Sequence, residues 1–274
     1  MKSTFGFTVA FAAMTSLAAS TAFAEDIKIG VLLGFTGPIE STVANMAPGA
    51  ELAMKEVSDS GKLLGGAKVV PVRGDSTCVD AAVATAAAER LITSDGVKAI
   101  VGGDCSGVTT AVLKNVAKAN GIVMISPSAT SPALSTIEDD GLFFRTAPSD
   151  ARQGEIVADI LDENGIGSIA ITYTNNDYGK GLADAIATNV KKKGHTVTIN
   201  VPHEDGKGDY TAEVGALASA GGDMLVVAGY VDQGGRGIVQ AAVDTGAFDR
   251  FYFPDGMVSP VLLENHGASL NGSL

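Results

Sequence analysis

From Ile27 onward the chain alternates two kinds of segment. Short, nearly unbroken apolar runs, rich in β-branched residues, recur at 27–35, 67–75, 97–103, 122–126, 142–148, 168–174, 196–202, 224–230 and 250–256. Between most of them the apolar positions fall into the wider spacing of an amphipathic helix, as at 79–94, 107–120, 151–164, 180–193 and 209–220. Apolar runs of this length predict strands, and the intervening period predicts helices. Strands that are apolar on both faces and alternate with helices predict parallel sheet covered on both sides, an α/β fold.

Punctuation supports the pattern. Gly121, Gly165, Gly194 and Gly246 each follow a periodic segment, as a left-handed helix cap requires. Asp150 and Asp209 mark expected helix starts. The stretch SATSPALSTIEDDG (128–141) is the longest without clear period, and a new strand–helix series is expected near Phe143. This divides the chain into two lobes, 25–146 and 147–274. The acidic run Glu138-Asp139-Asp140 reads as a solvated loop rather than a cation site.

Residues 1–24 stand apart from this organisation. Lys2 gives a basic start, 5–17 is apolar or small, and Ala22-Phe23-Ala24 is a small-x-small site, so a secretory leader cut after Ala24 is expected. Its apolar stretch is short for a membrane span, which needs about 20 residues. Removing Lys2 leaves 18 basic against 31 acidic side chains, a balance that argues against nucleic acid and anionic lipid as partners. The product is expected to be a soluble monomer in the periplasm. In an exported protein Cys78 and Cys105 meet oxidising conditions. A bond between them would contribute about 3.5 kcal/mol through the unfolded chain.

In parallel α/β sheets ligands gather where strands end and helices begin. Polar clusters stand at such places: Thr36-Gly37-Pro38, Asp104-Cys105-Ser106, Ser128-Ala129-Thr130, Asn175 to Tyr178, Tyr230 and Asp255. No Gly-Lys-Ser/Thr loop and no GxGxxG at a strand-to-helix turn is present, so nucleotide cofactors are not expected. The His residues are too scattered for a metal site. Gly103-Asp104-Cys105-Ser106-Gly107 has the outline of a nucleophile elbow, which would make Cys105 or Ser106 a hydrolase nucleophile. That reading needs a partner His, and His195, His203 and His266 hold no matching strand-end position; a Cys78–Cys105 bond would also remove the thiol. The hydroxyls suit another chemistry. Ser106 at a helix start and Ser128-Ala129-Thr130 after the next strand offer donors for a carboxylate and acceptors for an ammonium, and Asp255 offers a countercharge from the second lobe. Together they describe a cradle for an amino-acid zwitterion, with no catalytic group.

At these residues the chain resembles the periplasmic leucine/isoleucine/valine-binding protein family, the type I solute-binding components of ABC transporters. The stretches that carry the resemblance are DIKIGVLLGFTGPIE, GAELAMKEVSDSG, CSGVTTAV, GIVMISPSATSPALS, FFRTAPSDARQG, NNDYGKGLADAI, GDYTAEVGAL, AGYVDQGG and PDGMVSPVL, in the family's order. The resemblance implies two Rossmann-like lobes closing on an amino acid, with a membrane permease as partner. A sensory ligand-binding domain of the same fold, for amino acids or amides, is the alternative it leaves. It further implies that Ser106, Ser128, Ala129 and Thr130 take the α-carboxylate and ammonium, that Tyr178 and Tyr230 close from the second lobe, that Asp255 pairs with the ammonium, and that Cys78 and Cys105 are bonded. Three positions depart from the pattern: Asp255 stands for a Glu, Thr42 for an aromatic over the ligand side chain, and Asp104 beside Cys105 for an apolar residue. The resemblance implies a branched-chain or other small aliphatic amino acid as ligand, and these departures leave a smaller or more polar amino acid, or a related amide, open beside it. The resemblance also implies a further segment returning to the first lobe, so this chain reads as a fragment whose first lobe exposes apolar surface.

Overall fold

A computed structural model describes residues 25–274, so the expected leader lies outside the described residues. The first lobe runs β1 (Ile27–Leu33), α1 (Glu40–Asp59), β2 (Val69–Asp75), α2 (Ala81–Thr93), β3 (Ala99–Gly102), α3 (Ser106–Val112), α4 (Lys118–Asn120), β4 (Val123–Ser126) and β5 (Phe143–Arg145). The second runs α5 (Asp150–Glu163), β6 (Ser168–Thr174), α6 (Asp177–Lys192), β7 (Thr196–His203), α7 (Thr211–Ala220), β8 (Met224–Ala228), α8 (Arg236–Thr245), β9 (Phe251–Tyr252) and α9 (Pro260–His266). Each of the nine apolar runs contains one strand. Among the described residues no helix is long and apolar enough to cross a membrane.

The strands form two wholly parallel sheets, in the orders β2-β1-β3-β4-β5 and β7-β6-β8-β9. The strand at 143–145, where a new series was expected, pairs instead with β4 in the first sheet. β8 shows how a continuous apolar run serves two faces. Its side chains alternate across the pleat, so Met224, Val226 and Ala228 join Leu161 of α5 and Leu182 of α6, while Leu225 and Val227 join Leu217 of α7 and Ile238 of α8. The first sheet is less evenly covered. Met124 and Phe143 are in its core, but their neighbours Ile125 and Phe144, paired across the strands, are 41% and 53% exposed.

The four glycine caps have φ of 64°, 69°, 87° and 63°, as a left-handed turn requires. The expected helix starts need correction. The N-cap of α5 is Ser149, whose hydroxyl accepts from Ala151 N, and Asp150 is the first helical residue. Asp209 lies two places before α7, where its carboxylate accepts from the N–H and hydroxyl of Thr211. The expected single helix at 107–120 starts at Ser106 and is interrupted by a π-helical turn over Leu113–Ala117.

α5 crosses α6 closely because Gly154 has no side chain. A Cβ there would lie 2.6 Å from the Ala185 carbonyl carbon and 2.8 Å from its Cβ. Helix propensity favours Ala over Gly by about 1 kcal/mol, whereas forcing backbone apart in a packed contact costs about 1–3 kcal/mol. Gly154→Ala is therefore expected to lower the urea midpoint; a raised midpoint would show that the two helices separate freely.

Candidate functional site

Both sheets reverse their winding once, between β1 and β3 in the first and between β6 and β8 in the second. At such a point the connections leave to opposite faces and open a crevice beyond the strand ends. The polar segments of the sequence follow these strands: Gly34 after β1, Asp104 to Ser106 after β3, Asn175 and Asn176 after β6, and Tyr230 after β8. The two crevices face each other. A cavity of about 120 Å³ between them is lined by Ile39, Thr42, Met46, Asp104, Cys105, Ser128, Tyr178, Tyr230, Asp255, Gly256 and Val258. An outer cavity of about 410 Å³ shares Cys105, Tyr178 and Tyr230 with it and adds Ser106 and Gln233.

The first-lobe wall is built from internal bonds. Asp104 is 2% exposed. One of its oxygens accepts from Gly34 N at 2.5 Å, and the other accepts from Ser76 Oγ and Cys105 N at 2.9 Å. It thereby ties together the ends of three strands. Burial raises the pKa of this carboxyl, while the N–H groups of Gly34 and Cys105 and the Ser76 hydroxyl oppose the shift. Cys78 and Cys105 form a disulfide with a Cα–Cα distance of 5.3 Å, joining two of these strand ends, those of β2 and β3.

The hydroxyl loop after β4 is held from within by Ser126. Its hydroxyl donates to Gly103 O and accepts from Ala129 N at 2.9 Å. From the side, Arg145 donates to the carbonyls of Ala129 and Ser131. Ser128 Oγ donates to Asp104 O at 3.0 Å, and Ser131 N donates to Ser106 Oγ at 3.1 Å. Thr130 differs: its hydroxyl is buried and has no hydrogen-bond partner. Ala129 and Thr130 thus lie behind the inner cavity rather than on its wall, and Ser106 opens into the outer one.

The second lobe supplies Tyr178 and Tyr230, whose rings lie 4.7 Å apart. Burial pushes both phenols well above their ordinary pKa, so they are neutral donors. Tyr178 Oη donates to Asp255 Oδ1 at 2.7 Å, and Gln153 Nε2 donates to the same oxygen at 3.0 Å. The shorter side chain at 255 is thus braced from two sides.

Asp150 is the residue that the sequence reading placed as a cap. Because Ser149 does the capping, the Asp150 carboxylate turns inward, fully buried, and neither oxygen finds a partner. Burial, and after it the charge of Asp255, push this carboxyl up to about 7, and the neighbouring Thr130 hydroxyl and Arg145 guanidinium offset only part of the shift. Two adjacent cap-capable residues, Ser149 and Asp150, were the signal that one of them was spare.

Among the described residues no hydrogen bond joins a histidine to Cys105 or Ser106. His203 is buried between the hydroxyls of Thr172 and Thr174, and burial pulls its ring down to about 4; His195 pairs with Asp162. The disulfide occupies the Cys105 sulfur. Among the described residues no cluster of potential metal ligands is found.

The two lobes thus face each other across crevices with polar walls, the two-sheet architecture on which the comparison with known proteins turns. Residues 26–273 match the family described as periplasmic binding protein, and the chain belongs to that family. It is 34% identical over 228 residues to Leu/Ile/Val-binding protein homolog 3 of Brucella melitensis, covering 83% of this chain and 60% of the relative. It is 32% identical over 254 residues to the Leu/Ile/Val/Thr-binding protein of Salmonella typhimurium, covering 92% of this chain and 68% of the relative. The crystal structure of a leucine binding protein, LivK, from Thermotoga maritima superposes with a TM-score of 0.78 at 26% identity, covering 89% of this chain and 67% of that one.

The raised carboxyl of Asp150 has a definite sign. A carboxyl with a folded pKa near 7 and an unfolded value of 3.8 stabilises fully below about pH 4, and that contribution is lost as pH rises through 7. The difference amounts to about 4 kcal/mol at alkaline pH. Asp150→Asn of the ligand-free protein is expected to melt about 10 °C above the parent at pH 8 and level with it at pH 4. Equal melting at pH 8 would show that Asp150 is not strained in the empty cleft.

Proposed function

We propose that the chain binds a small aliphatic α-amino acid between its lobes, as the exported binding component of an ABC importer, and presents the closed form to the membrane permease. The observation that carries this reading is the set of acceptors on the inner wall, at Asp255, and just behind it, at Thr130 and Asp150. The Thr130 hydroxyl and both Asp150 oxygens lack partners, and Asp255 commits one oxygen to Tyr178 and Gln153. Buried polar groups are rarely left so unless something else completes them. An ammonium provides three donors for these acceptors.

On this reading the carboxylate meets Ser106 and the free N–H groups where α3 begins. The aliphatic part lies against Ile39, Met46 and Val258, with Thr42 beside it. Tyr178 and Tyr230 exclude water, which strengthens the charge-assisted bonds. The names of the relatives support a branched-chain or hydroxylated aliphatic side chain. The smaller residue at 42 and the inner volume of about 120 Å³ favour the shorter members of that group.

Calorimetric titration against the twenty amino acids is expected to give micromolar affinity for valine, isoleucine or threonine, about −8 kcal/mol. No binding by any of the twenty would sink the proposal. Thr130→Ala is expected to weaken binding about tenfold, a loss of about 1.4 kcal/mol, with little change in melting temperature. An unaltered affinity would remove Thr130 from the site.

A further inference from the structure

The turn that follows β8 is bent out of helical geometry at Gln233 (φ −118°, ψ 59°) and Gly234 (φ 85°). A Cβ at Gly234 would lie 2.7 Å from His203 Cδ2 and 2.9 Å from Tyr210 Oη, so the backbone is pressed against the second lobe. The Gln233 carbonyl is held there by Thr174 Oγ1 at 3.1 Å. Its side chain, 3% exposed, turns toward the other lobe.

The orientation of that amide follows from its neighbours. Gly179 N–H can only donate, and it donates to Asn176 Oδ1 at 2.8 Å. The Asn176 Nδ2 must then face Gln233, where it donates to Oε1 at 3.1 Å. This leaves Gln233 Nε2 on the far side, 3.5 Å from the sulfur of Cys78, a weak but real acceptor. Among the described residues this is the one side-chain hydrogen bond joining residues 26–146 to residues 147–274. The backbone bond from Asp150 N to Thr130 O accompanies it where the chain crosses between lobes.

We propose that Gln233 is a positioning residue for lobe closure, with the Cys78–Cys105 disulfide as its docking surface on the first lobe. This inference rests on the closure mechanism proposed above. Through Asn176, which caps the helix carrying Tyr178, and through the turn that begins at Tyr230, the same amide connects the disulfide to both cleft tyrosines. The disulfide is therefore a part of the closing interface as well as a staple of one lobe. Gln233 touches neither the inner cavity nor the groups assigned to the zwitterion.

The test is the rate at which tris(2-carboxyethyl)phosphine reduces the disulfide, measured with and without isoleucine in the parent, Gln233→Glu and Gln233→Ala. Glu keeps the oxygen for Asn176 but loses the donor to sulfur; Ala loses both. Both variants are expected to be reduced about threefold or more faster without ligand. Both are also expected to release ligand about threefold or more faster, with association unchanged, a range typical of one lost hydrogen bond. A Glu variant that matches the parent in both rates overturns the proposal, and an effect of Ala alone assigns Gln233 to bracing Asn176 within its own lobe. Melting temperatures of the ligand-free variants control for unfolding, and Gln233→Met replaces any variant that melts well below the parent. Failure of isoleucine, and of any amino acid that binds in the titration above, to slow reduction of the parent counts against the amino-acid reading and leaves the ligand-free comparison to decide the role of Gln233.

Discussion

The winding reversal in each parallel sheet is the constraint on which the site depends. A right-handed crossover places each helix on a side dictated by the direction in which the strand order runs. The orders β2-β1-β3 and β7-β6-β8 therefore force a gap at one place in each sheet. Asp104 to Ser106, Asn175, Asn176 and Tyr230 lie beyond the strands that border those gaps, and Ser128 and Asp255 reach in from the strands next to them, β4 and β9. Opening them also leaves strand ends without neighbours, and the first lobe closes that weakness with Asp104, the Ser76 hydroxyl and the disulfide.

Two buried aspartates illustrate how the same side chain serves opposite purposes. Asp104 has three donors and holds a wall in place. Asp150 has none, lies near a second carboxylate, and is held where a charge is costly. A carboxylate with its donors already supplied has little left to offer a ligand. One without them stores the free energy that an arriving cation releases. Residue type alone does not separate the two; the number of donors left after the backbone is satisfied does.

Much of this was legible in the sequence because the signals were local. Continuous apolar runs marked every strand, glycine after a periodic segment marked four helix ends, and the hydroxyls after 122–126 marked a strand end at the cleft. Thr42, Asp104, Cys105, Ser128, Tyr178, Tyr230 and Asp255 meet at one cavity although they come from widely separated segments. The residues that escaped notice act over distances that periodicity does not encode. Asp150 looked like a cap because its neighbour Ser149 was the better-placed one. Gln153, Arg145 and Gln233 are polar residues whose partners lie in loops and turns elsewhere along the chain. The π-helical turn at Leu113–Ala117 leaves the apolar spacing almost unaltered and so has no signature of its own.

The division of labour between the lobes decides what a ligand can do once bound. On the proposed reading, donors at Ser106 and at the start of α3 belong to the first lobe, so a carboxylate held there would be held nearly alike in open and closed forms. Such binding adds affinity without moving the lobes, because a ligand shifts an equilibrium only by its difference in affinity for the two states. Asp255 and Tyr178 come from the second lobe, and Tyr230 packs against the cores of both. Groups that reach these residues are the ones that favour closure. On the proposed reading the ammonium is therefore the trigger, and the side chain selects which ammonium-bearing molecule stays long enough to pull it.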